Sequence, residues 1–149
     1  MPWDSDIDVQ MSVSTVHYLA SYYNMTIHRY QARDYMLEIN PKYTDGSFED
    51  KLNVIDGRWI DIQTGLFIDI TAIRPKKGVK GVVVSKDKQE AKIKDLFPLR
   101  DSLFEGHSVK VPYNYAKMLS EDYGNKALTK TEFAGHKFNA TSMEWEKLE

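Results

Sequence analysis

The chain has 149 residues, a formal net charge of -2 and no cysteine. That length fits one domain with a real core, while the charge argues against nucleic-acid wrapping or a polybasic membrane patch. The missing thiols exclude a disulfide framework and any thiolate site, and a composition 42% hydrophobic and 12% aromatic excludes disorder as the default. No apolar run reaches the roughly 18 residues of a membrane span. The N-terminus lacks the basic start and apolar core of a signal peptide, so the address of a secretory protein would lie outside this chain.

The chain opens with "MPWDSDIDVQM". Ile7, Val9 and Met11 alternate with Asp4, Asp6, Asp8 and Gln10, and period two predicts a strand with one acidic face. Ser12 or Ser14 then caps a helix in which Val13, Val16, Leu19, Ala20 and Tyr23 recur at helical spacing, with Asn24 at its end. "TIHRYQ" and "YMLEIN" read as short strands around Ala32, Arg33 and Asp34. After a loop containing Asp45-Gly46, "RWIDIQ" and "LFIDITAI" predict a hairpin closed at Thr64-Gly65.

From Arg74 to Lys94 the chain turns basic, with room for a short strand in "GVVVS". "LFPLRDSLFEGHSVKVP" suggests a hairpin turning near Gly106. Residues 113–123 predict a helix with Ala116, Met118, Leu119 and Tyr123 inward and Gly124 past its end. The closing "MEWEKLE" reads as the start of a helix.

Residues two apart on a strand point the same way, about 6.6 Å apart. Carboxylates so placed can hold a hard divalent cation, and without one they repel each other. The other reading is a solvated acidic edge. Asp69 in "LFIDIT" and Asp61 in "RWIDI" are further candidates, because an aspartate in so apolar a segment needs a partner or a cation. One hairpin register sets Asp61 opposite Asp69, and which of them serves as a third carboxylate stays open.

A calcium loop starting at Asp4 fails, since Val9 and Thr15 stand where that loop needs glycine and glutamate. The four histidines lack zinc-site spacing, and no nucleophile elbow or phosphate-binding glycine loop occurs. The basic stretch reads as either a phosphate-attracting segment or a solvated loop. Sequons at Asn24 and Asn139 permit glycosylation in a secretory compartment.

Taken in order, "MPWDSDIDVQM", "GRWIDIQTGLFIDIT" and "LFPLRDSLFEGHSVKVPYNYAKMLSEDYG" resemble the LicD family of fukutin-type and fungal mannosylphosphorylation proteins. The wording is most similar to the fungal branch. The resemblance implies an α+β fold, a nucleotidyltransferase-like mixed sheet with flanking helices, over residues 1–124, followed by a cut-short C-terminal extension at 125–149. It also implies a helix and a Gly-containing turn ahead of the first strand. The chain starts at that strand, so the N-terminal part of the fold is expected to be missing, through truncation, a misplaced gene start or degeneration.

The activity implied is transfer of a phospho-substituent, mannose phosphate above all, from a nucleotide-activated sugar or alcohol phosphate donor to a glycan hydroxyl. Carried over residue by residue, Asp6 and Asp8 ligate Mg2+ or Mn2+, Asp4 ligates or supports, and Asp69 is the third carboxylate and candidate base. The implied setting is the Golgi lumen, with any membrane attachment through a segment outside this chain and no nucleic-acid partner. Two alternatives stand beside it. One is a non-catalytic paralogue assisting a separate transferase as partner protein; the other is a DxD glycosyltransferase.

Overall fold

The computed structural model describes residues 6–45, 53–104 and 106–148, so Asp4 lies outside the described residues. They divide into two compact units, Asp6–Lys92 and residues 93–148. No glycine or proline marks the junction between them.

The first unit runs β1 (Ile7–Ser12), α1 (Val13–Tyr22), β2 (Ile27–Tyr30), β3 (Arg33–Ile39), β4 (Gly57–Asp61), β5 (Phe67–Pro75), β6 (Val82–Val84) and β7 (Glu90–Lys92). Its mixed sheet has the order β2-β3-β4-β5-β6-β7, with β1 parallel to β5 and the other pairs antiparallel. The predicted first strand and helix are both present. Ser12 is the cap: its backbone is extended and its Oγ accepts from the Thr15 amide at 3.1 Å, satisfying one of the helix's orphan donors.

That tight β1-to-α1 passage lays the helix back on the sheet. Val16 is wholly buried among Leu37, Ile39, Ile70 and Ala72, with Val9, Met11, Leu19 and Trp59 packed around them. Each large apolar side chain so buried contributes about 1.5–3 kcal/mol. One glycine is required here. A Cβ on Gly57 would stand 2.8 Å from Ile39 Cδ1 and 3.0 Å from the Glu38 carbonyl, so only glycine lets β4 begin beside β3.

The first hairpin turns one step earlier than its sequence suggests. Arg33 already pairs with Tyr30, and Gln31 and Ala32 form the turn with φ of 47° and 64°. Two left-handed residues match the twist of the flanking strands, and that gain outweighs their own strain.

The second unit runs α2 (Ile93–Leu96), β8 (Arg100–Phe104), β9 (His107–Val111), α3 (Tyr115–Tyr123), β10 (Glu132–Phe133), β11 (His136–Asn139) and β12 (Glu144–Lys147). β8 and β9 form the expected hairpin, with Gly106 at φ 76° in its turn. α3 forms as predicted but buries no residue fully, and Leu119 and Tyr123, both expected inward, are exposed.

The C-terminal reading needs correction. Instead of a helix start, "MEWEKLE" supplies β12 of a three-stranded antiparallel sheet, in which Trp145 pairs across with Phe138 at 5.4 Å between ring centroids. That aromatic pair rewards the extended form more than helix propensity rewards the coiled one. Among the described residues no helix is long and apolar enough to cross a membrane.

Candidate functional site

Register along β5 decides what meets what. Asp8 on β1 is the parallel partner of Asp69, and Asp69 is the antiparallel partner of Arg58 on β4, which in turn faces Glu38 on β3. Directly paired residues share a face, and neighbouring strands lie about 4.8 Å apart. Asp8, Asp69, Arg58 and Glu38 therefore form one charged row across four strands. It occupies the face opposite Val9, Ile70, Gly57 and Ile39, since side chains alternate along each strand.

Within that row Asp8 is exposed and Asp69 is 9% exposed. Asp69 Oδ1 accepts from Arg58 Nε at 2.7 Å, and the Arg58 guanidinium lies 4.4 Å from the centre of the Phe67 ring. Asp6, exposed and two residues before Asp8, precedes the strand on the same alternation. Carboxylate oxygens are the donors a hard divalent cation takes, and Asp8 and Asp69 bring them from two adjacent strands. Among the described residues no three histidine, aspartate or glutamate side chains gather closely enough to hold a metal ion.

The register that would set Asp61 opposite Asp69 does not form. The Asp61 amide donates to Leu66 O at 2.8 Å, which closes the turn over residues 62–65 and slides Arg58 opposite Asp69. Asp61 falls on the other face of the sheet. There Arg33 Nη1 donates to its Oδ2 at 2.7 Å, and the Gln63 and Thr64 amides donate to its Oδ1 at 2.9 and 3.1 Å. Burial opposes its ionisation, but the Arg33 hydrogen bond and the two amides outweigh burial and hold its pKa below the usual 3.8. Asp61 is thus a turn-closing residue, and Asp69 alone of the two shares Asp8's face.

Sequence reasoning missed a further aspartate. Asp56 is wholly buried just before β4; its Oδ2 accepts from the Ala72 amide at 2.8 Å, and its Oδ1 meets Lys86 Nζ at 2.8 Å. Arg74 approaches the same carboxylate at 3.9 Å while donating to the Tyr43 and Asp45 carbonyls. Two cations of the basic stretch therefore turn inward, and Lys76 pairs with Glu90. The only signal in the sequence was "IDG" beside an apolar run, which does not distinguish a buried anion from a turn.

An α+β domain whose sheet carries facing carboxylates on a parallel strand pair, with a helix packed behind, is the class these observations define. The chain belongs to the LicD family: residues 1–114 match its LicD/FKTN/FKRP nucleotidyltransferase domain. It is 33% identical over 93 residues to mannosyltransferase regulator 14 of Saccharomyces cerevisiae, covering 60% of this chain and 10% of that protein. To mannosyltransferase regulator 4 of the same yeast it is 36% identical over 76 residues, 48% of this chain and 6% of that protein. The chain thus spans a tenth or less of the length of these relatives.

Proposed function

We propose that this chain is a metal-dependent phosphotransferase domain acting in mannosylphosphate addition to glycans. The observation that carries the reading is the in-register pairing of Asp8 with Asp69 on one face of the sheet. The row from Asp8 to Glu38 holds three carboxylates against one guanidinium. Carboxylates brought together from adjacent strands in this way can take a hard divalent cation between them.

Asp6, Asp8 and Asp69 are the proposed holders of Mg2+ or Mn2+, with Asp4 as a further ligand or support. Bound there, the ion supplies charge neutralisation for a donor's phosphates. The acceptor hydroxyl oxygen attacks the phosphorus next to the donor's mannose, forming a new P–O bond. The bond from that phosphorus to the nucleotide oxygen breaks, and the nucleotide leaves with the electron pair. Asp69 is the first choice to accept the hydroxyl proton. A glycan acceptor implies work in the secretory pathway, with the Golgi lumen as the expected place.

A second reading is favoured by the names of the two yeast relatives: a regulatory domain that assists a separate transferase without turnover. One assay separates the two. The chain is incubated with Mn2+, a nucleotide-activated mannose donor and a mannose-containing oligosaccharide. The first reading expects release of the nucleotide and mannose phosphate on the acceptor, with a rate loss of roughly 100-fold or more in Asp8→Asn and Asp69→Asn. No turnover by the chain alone, together with a faster reaction when it is added to a transferase, would establish the regulator instead.

A further inference from the structure

We infer that Arg58 is a donor-phosphate ligand of this site as well as the partner of Asp69. This rests on the reading of Asp8 and Asp69 as cation holders. Three observations converge on the guanidinium. Its Nε is engaged by Asp69 Oδ1 at 2.7 Å. Its plane is held over Phe67 at 4.4 Å, a diagonal neighbour across the hairpin. Its Nη1 and Nη2 have no hydrogen-bond partner among the described residues, and the side chain is 43% exposed.

An arginine used only to orient a carboxylate commonly gives two nitrogens to it in a parallel fork. Here one nitrogen does that work, which leaves the other edge of the fork for a second anion. Arginine matches phosphate in the same planar, bidentate way. Pinning by Asp69 and Phe67 also removes much of the rotamer freedom that a phosphate would otherwise have to freeze. The location suits the role, because Arg58 also lines an open pocket of about 170 Å3 with Glu38, Asn40, Asn53 and Ile55. A diphosphate held between the carboxylate pair and that pocket would lie alongside the free edge of the guanidinium.

The experiment is calorimetric titration of the full chain, first with Mn2+ alone and then, at saturating Mn2+, with ADP, GDP, CDP and UDP in turn. The expected pattern is that Arg58→Gln keeps or improves Mn2+ affinity but loses roughly 10- to 100-fold in affinity for the nucleoside diphosphate that wild type binds. Arg58→Lys, which keeps the charge and loses the fork, should fall between them. Circular dichroism checks the folding of each variant; if Arg58→Gln does not fold, wild-type affinity in Arg58→Lys overturns the inference.

Unchanged nucleotide affinity in Arg58→Gln likewise overturns it while leaving the carboxylate reading intact. Parallel loss of Mn2+ and nucleotide would show that Arg58 acts only through Asp69, and also overturns it. If wild type binds neither Mn2+ nor any of the four nucleotides, the inference and the reading beneath it fall together.

Discussion

Asp56 keeps a carboxylate in a place with no solvent, and its partners decide whether the fold tolerates it. Lys86 is itself 5% exposed and meets Asp56 at 2.8 Å, whereas Arg74 stands off at 3.9 Å. Removing one member of such a pair costs more than the pair is worth, because the remaining charge is left without compensation. Lys86→Met preserves the stem and deletes the charge, so its effect isolates that penalty. We expect a loss of about 3–5 kcal/mol in urea unfolding. Adding Asp56→Asn to Lys86→Met should recover much of that loss, since the uncompensated anion is gone. A double variant no more stable than the single one would mean that Arg74 compensates the Asp56 charge without Lys86.

Between elements, the clearest electrostatic link ties α2 to α3. Lys117 Nζ donates to Asp95 Oδ2 at 2.6 Å and Asn114 Nδ2 donates to Oδ1 at 3.1 Å, while the Asn114 amide donates to Asp95 O at 2.8 Å. The Lys117 hydrogen bond, then the Asn114 one, hold the Asp95 pKa below its ordinary 3.8 despite burial. The Asp95 hydrogen bond in turn raises Lys117 above 10.5. A carboxylate depressed in the folded state binds fewer protons there than when unfolded. Its stabilisation is therefore present above about pH 4 and is lost as pH falls through the lower, folded value. The lysine's share is present below its unfolded pKa and is lost as pH rises through the folded one. Asp95→Asn should flatten the acid limb of a stability-against-pH curve measured by thermal melts between pH 2 and 5, and an unchanged acid limb would remove Asp95 from the linkage.

Elements also show what could be read in advance. Period two in "DSDIDVQM" and the serine after it specify β1 and the start of α1, because alternation and capping are local chemistry. Asp61 and Asp69 sit in nearly the same local wording, hydrophobic on both sides, yet end on opposite faces. One turn hydrogen bond, Asp61 to Leu66, sets that outcome, and no local pattern encodes it. Arg58 was hidden for a related reason, since its meaning comes from facing Asp69 across the hairpin. β12 departs from the helix its local sequence suggests because its partner residue Phe138 lies on another strand, while a lone "EWEK" favours a helix by propensity.

For the whole molecule, the apolar core is unevenly shared. Of the buried hydrophobic side chains among the described residues, Val16, Leu37, Ile39, Ile70, Ala72 and Val83 belong to the first unit, and Leu96 alone to the second. Since each buried Val, Leu or Ile side chain is worth about 1.5–3 kcal/mol, the two units should open at different free energies. Native-state hydrogen exchange should find its slowest amides in β3 and β5, with α3 and the β10–β12 sheet exchanging at least roughly 100-fold faster. Uniform protection would mean that both open in one cooperative step. The same measurement bears on the carboxylate pair, because Asp69 lies on β5 and Asp8 on β1 directly beside it. A ligand that binds only the folded form stabilises it by RT ln(1 + [L]/Kd), about 2.7 kcal/mol at a hundredfold excess over Kd. Saturating Mn2+ should therefore slow exchange further in β1 and β5 of the wild-type chain and have no such effect in Asp8→Asn. Equal slowing in the variant would locate the cation somewhere other than this pair of strands.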